Sequence, residues 1–205
     1  MKKYSVLLLC LFLLLFGAAA CAGGAGDNAE GGGTVPPPAA AENVLVVYFS
    51  CTGRTEGVAE TIAEETGGAL HEIVPAVPYT EADLDYTVSD CRANEEQRTP
   101  SARPEIANSV ENMADYDVVF LGYPIWQGRA PKIIYTFLES YDFAGKTLVP
   151  FCTSGSTGIG GSESDLHALA EDAAWKAGRR FSAGATAQTV REWLNTLQLF
   201  GGASV

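Results

Sequence analysis

Residues 44–49, Val-Leu-Val-Val-Tyr-Phe, are apolar without a break and are bounded by Asn43 and Ser50. A run that is apolar on both faces predicts a strand in the middle of a parallel sheet, covered by helices on either side. Past a short polar loop, Val58, Ile62 and Ala63 recur at helical spacing, and Gly67-Gly68 stops that helix. Residues 70–74 read as a second strand, 118–123 as a third and 147–152 as a fourth. Pro131 suits the first turn of a helix carrying Ile133, Ile134, Phe137 and Leu138. Leu166, Leu169, Ala170 and Ala173 mark another helix, and residues 181–185 a weak fifth strand. Val190, Trp193, Leu194 and Leu197 form the apolar stripe of a closing helix. Strands alternating with helices predict an α/β fold, a doubly wound five-stranded parallel sheet with helices on both faces. Residues 75–108 are long for a crossover. Thr80 with Asp83 can cap a helix through Leu84, Val88 and Cys91, and the polar remainder predicts an irregular surface excursion.

The pattern differs before residue 43. Lys2 and Lys3 precede an apolar run, residues 6–16, then Gly17-Ala18-Ala19-Ala20 and Cys21. That layout predicts a signal peptide over residues 1–20, since the run is shorter than the roughly 20 residues a spanning helix needs. A cysteine directly after small residues resembles the lipobox of bacterial lipoproteins, which implies lipidation at Cys21 and anchorage to the outer face of the cell membrane. Ala18 stands where that family usually has Leu, and ordinary cleavage near Ala20 is the alternative. Residues 22–41 are mostly Gly, Ala and Pro, a composition that cannot bury enough surface to order itself. Residues 21–42 are therefore read as lipidation site and flexible linker, a tether of roughly 25 Å, and residues 43–200 as the domain.

Charge and cysteine usage narrow the partners. Without Lys2 and Lys3 the balance is 11 basic against 25 acidic side chains, a net of −14. Nucleic acid and anionic lipid surfaces are poor partners for such a chain, and contact with the membrane is expected only through the anchor. Cys51, Cys91 and Cys152 remain in the domain, an odd set with no CxxC, so neither zinc nor a disulfide framework is indicated. His71 and His167 lie far apart in sequence, and no metal site is expected.

Candidate chemistry gathers at strand ends, where open α/β sheets bind ligands. The first loop is Ser50-Cys51-Thr52-Gly53-Arg54-Thr55. Its hydroxyls, and the amides opening the next helix, form an anion cradle suited to a phosphate monoester. It is neither a Walker A loop nor GxGxxG. The second loop carries Pro124, Ile125, Trp126, Gln127 and Gly128, with a Trp poorly placed for the core and well placed as a stacking plate. The third holds Thr153, Ser154, Gly155, Ser156 and Gly158, small residues that leave backbone amides free. Cys51 lies near a helix N-terminus, which can lower a thiol pKa, but it reads as a small loop residue, and no catalytic thiol is assigned.

Val46-Val47-Tyr48-Phe49-Ser50-x-Thr52-Gly53-x-Thr55 resembles the phosphate-loop signature of the flavodoxin family. The resemblance covers about residues 43–198 and implies strand order 2-1-3-4-5 with FMN as cofactor. The family usually has Asn at the position of Arg54, where a guanidinium can serve a phosphate. The likeness implies that Trp126 packs on the isoalloxazine ring, that Gly128 lets the backbone approach it, and that the third loop bonds its pyrimidine edge. Electron-carrier flavodoxins place a second aromatic in that third loop, and none occurs between Thr153 and Ser162. One flavin face is then open unless a Tyr from the excursion covers it. In the family's strand order Cys51 and Cys152 end strands two apart, about 10 Å, beyond disulfide reach.

These observations favour an FMN electron-transfer protein serving a redox protein or a small redox acceptor. An FMN-dependent NAD(P)H:quinone-type reductase and a flavin-free binding lipoprotein of the same fold are the alternatives.

Overall fold

The runs that are apolar throughout form the centre of one sheet. In the computed structural model, which describes residues 43–199, these are β1 (Val44–Tyr48), β3 (Val118–Pro124) and β4 (Thr147–Thr153), all but their ends buried. β2 (Ala69–Glu72) pairs with β1 at one edge and is largely exposed. The opposite edge is formed by β5 (Ala174–Trp175) and β6 (Arg179–Phe181), both paired with β4. All these pairings are parallel, in the order β2-β1-β3-β4-β5, the flavodoxin-like arrangement. The signal peptide, Cys21 and the linker lie outside the described residues.

The fifth strand thus starts earlier than residues 181–185 and comes in two pieces. Lys176 donates to the Leu148 carbonyl, 2.9 Å, so the position two residues on, Pro150, also faces this edge. Proline has no N–H to give, and the ladder lapses there. Gly178 fills the gap, where a Cβ would lie 2.8 Å from the Pro150 carbonyl oxygen.

Side chains alternate across the sheet and build a core on each face. Leu45, Val47, Val119, Leu121 and Leu148 pack with Ile133, Ile134, Phe137 and Leu138 of α3 (Lys132–Glu139). Val44, Val46, Phe120, Val149 and Phe151 pack on α1 (Arg54–Thr66) and α5 (Ala187–Leu197). α1 ends at Gly67, φ 68°, with Gly67 and Gly68 both donating to the Ala63 carbonyl, a glycine stop of the Schellman kind.

Two predicted helices are shorter or displaced. Thr80 and Asp83 do cap each other, Thr80 N to Asp83 Oδ2 at 2.8 Å and Asp83 N to Thr80 Oγ1 at 3.2 Å. The result is only a single 3-10 turn, Ala82–Leu84. Asp85 then accepts from the Thr87 amide (3.0 Å) and hydroxyl (2.6 Å), a local turn that competes with the helix. The helix of the excursion, α2 (Arg92–Arg98), starts only after Cys91. α4 (Gly160–His167) ends before Leu169, where i→i+3 bonds take over, Leu169 N to Leu166 O and Ala173 N to Ala170 O.

Candidate functional site

The strand order reverses between β1 and β3, and the loops leaving β1, β3 and β4 meet at the carboxyl ends of those strands. They line one cavity of about 580 Å³, within the ordinary range for a cofactor site. Ser50, Cys51, Thr52, Arg54 and Thr55 come from the first loop, Pro124, Ile125, Trp126 and Gln127 from the second, Thr153, Ser154 and Gly155 from the third. Gly53 lines a smaller adjoining cavity of about 400 Å³, which shares Thr52 and Arg54. Gly128, Ser156 and Gly158 line neither.

Gly53 takes a left-handed φ of 76° and turns the chain into α1, so Arg54 and Thr55 open the helix with their amides toward the loop. Amides at a helix N-terminus attract an anion. Arg54 is exposed and makes no hydrogen bond or ion pair among the described residues. Thr55 is buried and shares a 2.8 Å hydrogen bond with the Thr153 hydroxyl, which ties the first loop to the third. Ile125 donates to the Thr153 carbonyl at 3.0 Å and ties the second loop to the same point. From behind, Arg180 reaches the Ser154 carbonyl at 3.2 Å.

Residues 126–129 form a two-residue hairpin turn. Trp126 and Arg129 exchange both backbone bonds, 2.9 and 3.0 Å, while Gln127 (φ 48°) and Gly128 (φ 82°) are both left-handed, the signature of a type I′ turn. Gly128 therefore serves the turn, and its carbonyl abuts α4, where a Cβ on Gly161 would lie 2.4 Å away. The Trp126 ring is fixed edge-on by Phe49 (5.6 Å, 78°) and Tyr79 (5.2 Å, 75°). Tyr79 is itself clamped: its hydroxyl donates to Glu96 at 2.5 Å and the Arg92 guanidinium sits 3.9 Å over its ring. Burial, with Glu96 adding, pushes the Tyr79 hydroxyl pKa far up and keeps it protonated.

The excursion supplies a wall that the motifs do not reveal. Leu84, Tyr86, Ala93 and Asn94 line the same cavity. Gln97 of α2 donates to the carbonyls of Trp126 (2.7 Å) and Ala130 (3.2 Å), and Gln127 donates to Asn94 Oδ1. The sequence leaves one face of the expected flavin open unless a Tyr from this segment covers it; Asn94 and Gln97 give no signal, being polar residues in a polar stretch.

Cys51, Cys91 and Cys152 are free thiols. Cys51 stands at the cavity wall, and the desolvation there pushes its pKa up to about 11, against the pull of Arg92. The lowering that a helix N-terminus can give is overridden. Burial pushes Cys152 up to about 12.

The family model described as flavodoxin matches residues 43–197. An NAD(P)H dehydrogenase (quinone) of Cupriavidus metallidurans is 30% identical over 138 residues, 62% of this chain and 63% of that one. The chain thus spans less than two thirds of that relative. The crystal structure of a candidate flavoprotein from Bacteroides eggerthii is 44% identical with a TM-score of 0.73, covering 77% of this chain and 99% of that one. A Lactobacillus acidophilus flavoprotein, solved in complex with FMN, is 26% identical with a TM-score of 0.57, covering 68% and 93%.

Proposed function

Since the chain belongs to the flavodoxin family, we propose that it binds FMN and transfers electrons while tethered outside the cytoplasmic membrane through a lipid on Cys21. The observation that carries the reading is the convergence of three loops, an anion cradle, an aromatic plate and an amide-rich rim, on one cavity. When bound, FMN supplies one- and two-electron redox chemistry; the protein supplies binding, orientation and environment.

The hydroxyls of Ser50 and Thr52, the α1 amides and the unpaired Arg54 fit a phosphate monoester, with Thr55 tied behind them to Thr153. Trp126, braced by Phe49 and Tyr79, fits a flat ring, and the amides around Ser154 and Gly155 fit its polar edge. Trp126→Ala is expected to weaken FMN binding by about 1–3 kcal/mol, the usual worth of a stacked aromatic, and to shift the reduction potential. A titration and a potentiometric measurement that both match wild type would remove the stacking role. Protein that takes up no flavin would leave the flavin-free binding reading in its place. For the tether, Cys21→Ser is expected to move the chain from the membrane fraction to the soluble one; retention with the membranes would refute lipidation there.

A reductase reading is favoured by the likeness to a quinone dehydrogenase and by the absence of an aromatic in the third loop. Steady-state turnover with NAD(P)H and a quinone supports the enzyme. Its absence, with fast exchange to a protein acceptor, supports the carrier.

A further inference from the structure

Two aromatic side chains line the cavity, Trp126 and Tyr86, and they come from different segments of the chain. Tyr86 is 81% exposed, and its ring and hydroxyl have no ring, hydrogen-bond or ion-pair partner among the described residues. Its backbone, by contrast, is held. Asn94, only 5% exposed, donates through Nδ2 to the carbonyls of Tyr86 (3.1 Å) and Val88 (2.8 Å). The same amide accepts from Gln127 through Oδ1. One buried side chain therefore joins the peptide that carries Tyr86 to the turn that carries Trp126.

We propose that Tyr86 is the second stacking plate for the flavin ring, supplied by the excursion between β2 and β3, and that Asn94 is the positioning residue that sets its distance from the Trp126 turn. The inference rests on the FMN reading above. A flat ring seated beside Trp126 shares the cavity with the excursion wall, where Tyr86 is the one aromatic among the described residues that line it and its exposed ring is free to meet the second face. A fixed carbonyl with a free ring is a hinge. The plate can swing on χ1 without disturbing the fold, so access of an acceptor to the outer flavin face is governed by one exposed side chain.

The test uses two ligands, FMN and lumiflavin, the latter being the ring without the ribityl phosphate. Tyr86→Ala is expected to raise the dissociation constants of both by the same factor, about fivefold or more. Tyr86→Phe keeps both within about twofold of wild type, because stacking survives loss of the hydroxyl. Asn94→Ala, which frees the Tyr86 carbonyl, raises both constants together. Arg54→Ala serves as the contrast and weakens FMN alone. Wild type that binds FMN, with Tyr86→Ala binding both ligands equally well, overturns the plate and leaves the FMN reading standing. Tyr86→Phe as weak as Tyr86→Ala also overturns it. Wild type that binds neither ligand overturns both readings.

Discussion

Thr55 and Thr153 belong to loops 98 positions apart in sequence, and their hydroxyls meet at 2.8 Å where both residues are nearly sealed from water. Removing one hydroxyl leaves the other buried without its partner, which costs about 1–3 kcal/mol, whereas removing both together is close to neutral. Thr55→Val is therefore expected to lower the unfolding free energy measured in urea by that amount, and Thr55→Val with Thr153→Val to recover most of it. A double variant as unstable as the sum of the two singles would show that the hydroxyls are not a pair. Cys51 gives the residue-scale pH dependence. Its pKa is raised to about 11, so the reactive thiolate is about one part in 10⁴ at pH 7. Alkylation by iodoacetamide in the native protein is expected to be slow at neutral pH and to rise about tenfold per pH unit up to about 11. A rate that levels off near pH 8 would show an ordinary thiol. At this scale the sequence displays the first loop well, because hydroxyls beside a glycine at a strand end have a direct chemical reading. Asn94 and Gln97 stay invisible, since what they do depends on which carbonyls α2 brings within reach.

Among the elements, the long apolar strands and the glycine-stopped α1 are legible because their pattern is the cause of their burial. The split fifth strand is not, because its break is imposed by Pro150 on the neighbouring strand and not by its own residues. α2 is displaced from the predicted helix for a related reason. A cap at Thr80 was readable, but the Asp85–Thr87 turn that cancels its continuation is a contest between side chains and backbone that periodicity does not register. The same dependence on neighbours yields a prediction at the Trp126 turn. Gly161 of α4 lies against the Gly128 carbonyl so closely that a Cβ would stand 2.4 Å away. Backbone on both sides cannot yield as a flexible side chain would, so Gly161→Ala must push the turn or the helix. Overpacking of this kind costs about 1–3 kcal/mol. The variant is expected to lose FMN affinity with Trp126 still present, and its tryptophan emission should shift as the indole leaves its edge-on contacts. Unchanged affinity and emission would mean that α4 alone gives way.

At the scale of the molecule, the two-faced core places the cavity where the strand order turns, and the chain's charge decides what approaches it. Residues 21–205 carry a net charge of −14, yet the charges acting on Cys51 at the cavity are mixed: Glu72 and Glu96 act in one direction and Arg92 in the other. Arg54 stands unpaired among the described residues at the loop that opens α1. The local charges therefore largely oppose one another, and any steering must come from the summed field of the surface. Such a field is long-ranged only in dilute salt, with a Debye length of about 30 Å at 0.01 M and about 3 Å at 1 M. The reduced protein should then pass electrons faster to a small cationic acceptor than to an anionic one of equal potential, with the ratio greatest near 0.01 M and close to one at 1 M. Stopped-flow rates at a series of salt concentrations read this directly. A ratio of one at low salt would place the acidic side chains away from the flavin edge and assign them to solubility. A ratio that persists at 1 M would locate the discrimination in contacts at the cavity mouth, with Arg54 the first side chain to replace.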